Sequence, residues 1–268
     1  MKIIKSLTGL LFICILFGAS QEKITIHSAS MDKDIQCLVV LPHEYYLSFN
    51  QFAVVYLLHG YSGNYASWSE HVDLGDYADK YHFIIVCPDG GYNSWYLDSP
   101  MVPKSQYKTH IGKETVQYID NNYRTIAHRN SRAITGLSMG GHGALYLALE
   151  FQKLFGAAGS MSGVVDLKFT TKKYELGEKI GSYEKFPDRW DQFSVISNTY
   201  YFKNSNTRLI IDCGLEDAFL ESNRILHNKL LKLNIPHDYS EKPGGHSWDY
   251  WVISLNEHFK FFNSIFIK

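Results

Sequence analysis

The chain has 268 residues, of which 45% are hydrophobic and 15% aromatic, and its formal net charge is −1. This composition excludes a disordered chain and supplies enough apolar residues for one large domain with a single core. The near-neutral charge argues against a nucleic-acid partner, because such surfaces are normally basic, and no run of like charges indicates a membrane-surface patch.

The first 20 residues have the pattern of a secretory signal peptide. Lys2 and Lys5 form a positive region, residues 7–17 are apolar, and residues 18–20 are small. We therefore predict that residues 1–20 are removed and that the mature protein is exported, to the periplasm or outside the cell, without a stable membrane anchor. An uncleaved N-terminal anchor is the alternative, although the apolar run is short for a membrane span.

Of the four cysteines, Cys14 lies in the predicted signal peptide. Cys37, Cys87 and Cys213 lie in apolar runs without the spacing of a metal site or a disulfide framework. They are predicted to be buried thiols, and a Cys37–Cys87 bridge stays open in an exported protein. We expect no metal ion and no organic cofactor.

Short apolar runs then alternate with segments of helical periodicity. This alternation predicts one α/β domain over residues 21–268, with a mostly parallel central sheet and helices on both faces. Strands are predicted at residues 23–28, 35–41, 52–58, 83–87, 133–135, 155–161, 209–213 and 237–241, and helices at 67–81, 112–123, 143–150, 221–233 and 248–262.

Residues 166–207 are the least regular part of the chain and are rich in aromatic residues. We predict that they form a lid-like insertion over the catalytic edge of the sheet. A packing segment without substrate contact is the alternative.

Residues 136–141 read Gly-Leu-Ser-Met-Gly-Gly, between a strand-like run and a helix-like run. This pattern is typical of the G-x-S-x-G nucleophile elbow, in which a serine on a sharp strand-to-helix turn exposes its hydroxyl. Ser138 is therefore the predicted nucleophile. A glycine-rich loop with an idle serine is the other interpretation.

A serine nucleophile needs a base within hydrogen-bond reach and an acid that orients the base. In α/β-hydrolases the acid follows the serine along the chain. Asp217 lies in the loop directly after the predicted strand 209–213 and is the predicted acid. Asp212 and Glu216 compete for this role, and Asp217 could instead cap the following helix.

The base should follow the acid, in a late loop. His246 lies in the glycine-rich stretch 243–248, between the last strand and the last helix, and is the predicted base. The other histidines considered are predicted to pack or to lie at the surface: His142, His227, His237 and His258.

The tetrahedral intermediate of acyl transfer needs backbone N–H donors. Met139, directly after the nucleophile, should give one, and the loop after an early strand should give the other. We assign this second donor to Tyr61, with Gly60 as the close alternative and an ordinary glycine turn as the other interpretation.

Together these residues resemble the "putative esterase" branch of the α/β-hydrolases, which includes S-formylglutathione hydrolases, feruloyl and acetylxylan esterases and mycolyltransferases. The resemblance implies an α/β-hydrolase fold with Ser138, Asp217 and His246 as the triad. It also suggests that Trp95 lines the acyl or leaving-group site, although a core tryptophan is the alternative. The matching stretches are 57–60, 88–90, 94–96, 136–141, 214–217 and 245–246.

The resemblance and the predicted export favour a secreted serine esterase that acts on acyl groups of plant polysaccharide, as a feruloyl or acetyl esterase. A thioesterase of the S-formylglutathione hydrolase type, an acyltransferase on the same scaffold, and a non-catalytic carbohydrate-binding relative are the alternatives. The expected partner is a small-molecule or polysaccharide-linked ester.

Overall fold

The computed structural model describes residues 18–266. Most of the predicted signal peptide, residues 1–17, therefore lies outside the described residues. The first strand, β1, begins at Ser20, where Ser20 pairs with Leu41 of the second strand. Among residues 18–266, none of the helices has both the length and the apolar run that a membrane span requires.

One sheet of eight strands forms the centre of the described part of the chain, in the order β1-β2-β4-β3-β5-β6-β7-β8. β2 runs antiparallel to both of its neighbours, and the other pairs are parallel. This is the mostly parallel sheet that the sequence predicts. The strands are β1 Ser20–Ser28, β2 Lys33–Leu41, β3 Ala53–Leu58, β4 Phe83–Pro88, β5 Arg132–Gly136, β6 Ala157–Met161, β7 Arg208–Gly214 and β8 His237–Lys242.

Helices cover both faces of this sheet because its central strands are apolar on both sides. In β3, Val54, Tyr56 and Leu58 join one apolar cluster with α4, α5 and α8, while the alternate residues join α2 and α9 on the opposite face. The helices are α1 Glu44–Leu47, α2 Leu74–Tyr81, α3 Tyr107–Thr109, α4 Val116–Asn122, α5 Met139–Glu150, α6 Leu176–Ile180, α7 Pro187–Phe193, α8 Leu220–Lys232 and α9 Trp248–Ile265, with a π-helical turn at His110–Thr115.

Two helix boundaries differ from the sequence prediction for identifiable reasons. The helix predicted at 67–81 begins only at Leu74, because the Asp73 carboxylate accepts the Gly75 N–H at 2.8 Å and caps the first turn. The helix predicted from residue 143 begins earlier, at Met139. Its first turns contain three glycines, and they are helical nevertheless because the helix is buried.

The three described cysteines, Cys37, Cys87 and Cys213, are buried free thiols. No bridge joins Cys37 to Cys87 in the structure. Burial raises the pKa of the Cys37 thiol well above its usual value. These residues therefore pack as small apolar side chains.

The two ends of the segment 166–207 lie in different places on the protein. Its first half contains α6, and Tyr174 lies near Ser138, in the cavity described below. Its last part lies at the other end of α5, where Gln152 donates a hydrogen bond to the Tyr201 carbonyl at 3.2 Å. Tyr200 and Tyr201 are 60% and 62% exposed. Only the part around Tyr174 is therefore placed to act as a lid, which stays a prediction.

A buried polar network joins β7 to α9. The Asp212 carboxylate accepts hydrogen bonds from Tyr250 at 2.8 Å, from Ser254 at 2.5 Å and from His258 at 2.7 Å. His258 is also 2.7 Å from Thr135 of β5. Burial disfavours the charged form of Asp212, but the bonds and charge of His258 outweigh it and lower the pKa of Asp212. Asp212 is therefore a structural anion that fixes α9 against the sheet.

Replacing Asp212 with asparagine should lower the free energy of unfolding by about 3–5 kcal/mol at pH 7, as expected when one partner of a buried charged pair is removed. Because the pKa of Asp212 is lowered by folding, its stabilisation is present above pH 3.8 and is lost as the pH falls through the folded-state pKa. Urea unfolding from pH 7 to pH 3 measures this. We expect the difference between the two proteins to shrink below pH 3.8, whereas a constant difference would show that the charge is not its source.

Candidate active site

Ser138 lies on a sharp turn between β5 and α5. Its backbone has φ 54° and ψ −116°, and its N–H donates to the Met161 carbonyl of β6 at 3.0 Å. Gly140 permits this turn, because a Cβ there would come within 2.6 Å of the Leu58 and His59 carbonyl oxygens. The sequence thus folds into a turn that holds a serine in a strained conformation at the carboxyl edge of the sheet, a feature often found at functional sites.

His246 lies between Ser138 and Asp217. Its Nε2 is 2.8 Å from Ser138 Oγ and its Nδ1 is 2.8 Å from Asp217 Oδ2. An ionised carboxylate only accepts hydrogen bonds, so Nδ1–H donates to Asp217 and Nε2 accepts the Ser138 hydroxyl. The structure thus brings together the three residues that the sequence analysis selected.

Asp217 is held as an anion in this chain of hydrogen bonds. Its side chain is 0% exposed, and it also accepts the Phe219 N–H at 2.8 Å. Burial raises the pKa of Asp217, but the hydrogen bond and charge of His246 outweigh this effect, and the pKa is lowered overall. His246 has 28% of its side chain exposed and packs between Phe219 and Trp251, with ring centroids 5.1 and 4.9 Å away.

Glu216, a competitor for the acid role, instead joins the loops that carry Asp217 and His246. Its carboxylate accepts the Gly244 N–H at 2.5 Å, and its own N–H donates to the Gly244 carbonyl at 3.1 Å. A Cβ on Gly214 would lie 2.0 Å from the Gly244 oxygen, so the close approach of the two loops requires glycine there. The other competitor, Asp212, belongs to the buried network and makes no contact with His246.

Two backbone N–H groups beside Ser138 are free. Among residues 18–266, neither the Met139 N–H nor the Tyr61 N–H donates a hydrogen bond within the protein. Met139 is the first residue of α5, so its N–H lies at the positive end of the helix dipole. Gly60, Tyr61 and Ser138 line the same cavity. Both N–H groups therefore lack an acceptor within the described residues, and their role as the oxyanion hole stays a prediction.

His59 positions the Tyr61 N–H, a role that no sequence pattern indicated. Its Nδ1 donates to the Gly60 carbonyl at 2.7 Å, and its Nε2 accepts the Gly90 N–H at 2.8 Å. Burial lowers the pKa of His59, which keeps the ring neutral as this arrangement requires. The Gly60 carbonyl and the Tyr61 N–H belong to one planar trans peptide and point in opposite directions. By holding the carbonyl, His59 therefore sets the direction of the Tyr61 N–H.

A cavity of about 390 Å³ opens beside Ser138 and His246. It has an aromatic wall on each side, which the sequence analysis did not identify because these residues lie in ordinary helix and loop patterns. Its aromatic residues are Tyr61, His71, Tyr174, Trp248 and Trp251. A larger cleft of about 670 Å³ lies at the opposite edge of the sheet, around Phe52 and Tyr81, and none of the predicted site residues lines it.

Trp95 is not among the residues that line the cavity, and its contact with substrate stays a prediction. Its side chain is 1% exposed, its Nε1 donates to the Tyr174 carbonyl at 3.3 Å, and its ring packs beside His142 at 5.9 Å. In this structure Trp95 lies beneath Tyr174 and supports it, as in the alternative of a core tryptophan. A ring that is buried under its neighbour cannot contact substrate without moving it.

The other histidines considered in the sequence analysis, His142, His227, His237 and His258, form no hydrogen bond with Ser138 Oγ within residues 18–266. His142 is fully buried below the turn, and burial lowers its pKa to about 3. His258 belongs to the Asp212 network. His227 Nδ1 is 2.7 Å from His237 Nε2 in a separate pair between α8 and β8. Among residues 18–266, no group of three or more potential metal ligands is present.

Comparison with known proteins gives consistent matches over most of the chain. A family model described as "Putative esterase" matches residues 28–262. An acetyl esterase of Caldicellulosiruptor saccharolyticus is 26% identical over 264 residues, which cover 91% of this chain and 98% of that protein. Esterase Rv1288 of Mycobacterium tuberculosis is 30% identical over 78% of this chain, which spans 51% of its length.

A solved structure also resembles this protein over most of its chain. A ferulic acid esterase superposes with a TM-score of 0.81 at 25% identity, over 93% of this chain and 100% of its own. This similarity, together with the strand order and the helices on both faces, confirms the predicted α/β-hydrolase fold.

Proposed function

Because this chain belongs to the family described as "Putative esterase", we propose that it cleaves esters through a catalytic triad of Ser138, His246 and Asp217. The family and its relatives make the chain a carboxylic ester hydrolase, and the resemblance inferred from its motifs is confirmed. The observation that carries the triad is the continuous chain of hydrogen bonds from Ser138 Oγ through His246 to Asp217, each 2.8 Å long.

In the proposed mechanism, His246 Nε2 takes the proton of Ser138 as Oγ attacks the ester carbonyl. The oxyanion accepts hydrogen bonds from the Met139 and Tyr61 N–H groups. Asp217 keeps His246 in the tautomer that accepts the proton and stabilises the imidazolium. His246 then protonates the leaving alcohol, and a water molecule, activated by the same ring, hydrolyses the acyl-enzyme. Each step uses side-chain and backbone groups of this chain and water.

For the substrate, we propose a feruloyl or acetyl ester attached to plant polysaccharide, acted on after export. The pattern of residues 1–20 supports export. The aromatic walls of the cavity, with Tyr61 and Tyr174 on one side and Trp248 and Trp251 on the other, suit a planar aromatic acyl group or the apolar face of a sugar ring. The similarity to a ferulic acid esterase over most of both chains supports the same assignment.

Initial hydrolysis rates on p-nitrophenyl acetate, methyl ferulate and S-formylglutathione test this function. We expect Ser138-dependent turnover of p-nitrophenyl acetate and a kcat/KM for methyl ferulate or an acetylated oligosaccharide at least tenfold above that for S-formylglutathione, a difference of about 1.4 kcal/mol. The Ser138→Ala variant is the control.

Preference for the thioester would replace the polysaccharide assignment with the thioesterase alternative. Transfer of the acyl group to an added sugar, detected by product analysis, would identify an acyltransferase. No turnover of any of the three would contradict the proposed function.

A further inference from the structure

A second, smaller cavity, of about 150 Å³, lies beside the catalytic cavity and is basic. Its charged lining residues are Lys33, Lys104 and Lys179, and no acidic residue lines it. Asn93, Ser94 and Ser105 add polar groups to the wall. We call this space the lysine cavity. Its lining has three positive charges and hydrogen-bond donors.

The ammonium groups of the lysine cavity have few internal partners. Lys33 Nζ donates to the Tyr107 hydroxyl at 3.0 Å. Within residues 18–266, Lys104 and Lys179 form no salt bridge, in contrast to Lys108, which is 2.8 Å from the Glu150 carboxylate. Like charges gathered on one concave surface repel each other and raise the local positive potential. An anion in the cavity would relieve this repulsion.

Two of the carboxylates on the neighbouring segments, Glu175 and Asp89, already accept hydrogen bonds within the protein. Glu175 accepts a hydrogen bond from the Asn93 amide at 2.7 Å, and Asp89 accepts the Gly91 N–H at 2.7 Å. Neither side chain lines the lysine cavity. None of the residues that line the lysine cavity therefore supplies an anion that would balance the lysines.

The lysine cavity and the catalytic cavity share a wall. Tyr92 lines the lysine cavity, its ring packs on Tyr61 at 5.0 Å, and its carbonyl accepts the Ser62 N–H at 2.8 Å. Tyr61 and Ser62 line the catalytic cavity. Lys179 lies on α6, shortly after Tyr174, which lines the catalytic cavity. A substrate that extends from Ser138 past Tyr61 and Tyr92 would therefore reach the lysines.

We propose that the lysine cavity binds a carboxylate group carried by the ester substrate, at a distance from the bond that is cleaved. This inference rests on the proposed esterase function and narrows its substrate class to acidic esters, such as esters of acidic saccharides. Lys104 and Lys179 bind the carboxylate, and the Ser105 hydroxyl adds a hydrogen bond. The lysine cavity affects the binding of the substrate and not the chemical step.

The test compares a series of p-nitrophenyl esters of dicarboxylic acids of increasing chain length with their neutral methyl-ester counterparts. We expect the wild-type protein to have a lower KM for the carboxylated ester at one or more lengths, and sodium chloride to reduce this preference. The Lys104→Gln/Lys179→Gln variant should raise that KM about fivefold to tenfold, since exposed ionic contacts contribute up to about 1 kcal/mol each. Its kcat, and both constants for the neutral ester, should stay within about twofold.

Lys203→Gln/Lys232→Gln, a change of two exposed lysines on the Thr199–Asn204 turn and in the last turn of α8, is the matched control for net charge and should leave KM unchanged. Equal KM values for carboxylated and neutral esters at every length would overturn the proposal. So would an equal loss on neutral esters in the double variant, because the lysines would then support the site in general.

Calorimetric titration of Ser138→Ala with succinate and with inorganic phosphate separates this proposal from the esterase function. Binding of succinate that the double lysine substitution weakens at least fivefold supports the carboxylate site even if no ester is turned over. Binding of phosphate without binding of succinate would identify a site for free phosphate and overturn the substrate role. Binding of neither would overturn the site.

Discussion

Ser138→Ala is expected to lower kcat for p-nitrophenyl acetate by about 10⁵–10⁶, to near the rate left by the binding site and the backbone donors alone. The hydroxyl oxygen is the atom that bonds to the acyl carbon, and among the described residues the Ser138 hydroxyl, at 2.8 Å, is the one hydrogen-bonded to His246 Nε2. The turn itself should persist, because alanine also carries a Cβ and the Ser138 N–H bond to Met161 does not involve the side chain.

His246→Ala is expected to cause a loss of similar size, and the double variant should lose little more than either single variant. This follows because the two side chains act as one unit, so removing the second has almost no further cost. Ser264→Ala, a change on the exposed end of α9, is the matched control and should leave kcat unchanged. Losses that multiply in the double variant would show that Ser138 and His246 act independently.

Asp217→Asn should lower kcat by about 10³–10⁴ while leaving KM within a few-fold. An asparagine amide has nearly the same shape, but its NH₂ can donate to His246 Nδ1 and so favour the tautomer with the proton on Nε2. That tautomer cannot accept the Ser138 proton. The substitution should therefore lower the rate of the chemical step and leave the fold intact. We expect kcat at pH 7 to fall and the midpoint of urea unfolding to stay unchanged.

Glu216→Gln separates Asp217 from its neighbour in sequence. Glutamine keeps an oxygen that can accept the Gly244 N–H, so the loops that carry Asp217 and His246 should stay together and kcat should fall less than about tenfold. If Glu216→Gln instead lost more activity than Asp217→Asn, with both proteins folded, the acid would have been assigned to the wrong residue.

The sequence predicted most of the fold because the central strands are short, apolar and separated by helical patterns. β3 and β4 are apolar at every position, which is typical of strands buried on both faces. Boundaries were less predictable because they depend on side chains that cap or pack. The turn before Leu74 and the π-helical turn at His110–Thr115 have no signal in hydrophobic periodicity.

The candidate site could likewise be predicted from the sequence only in part. Ser138, Asp217 and His246 could be selected because the chain order of an elbow, a loop acid and a late histidine is fixed by the topology of the sheet. The role of His59 could not be predicted, because it depends on a hydrogen bond from the His59 ring to the Gly60 carbonyl. The burial of Trp95 beneath Tyr174 could not be predicted either, because it depends on the path of the segment after residue 166, which local patterns do not encode.

Covalent trapping of the nucleophile tests the central claim most directly. The protein would be treated with diisopropyl fluorophosphate, digested and mapped by mass spectrometry. The account predicts one adduct per chain, on Ser138, formed much more slowly in His246→Ala and absent in Ser138→Ala. An adduct on a different serine, or equal labelling of the wild type and Ser138→Ala, would contradict it.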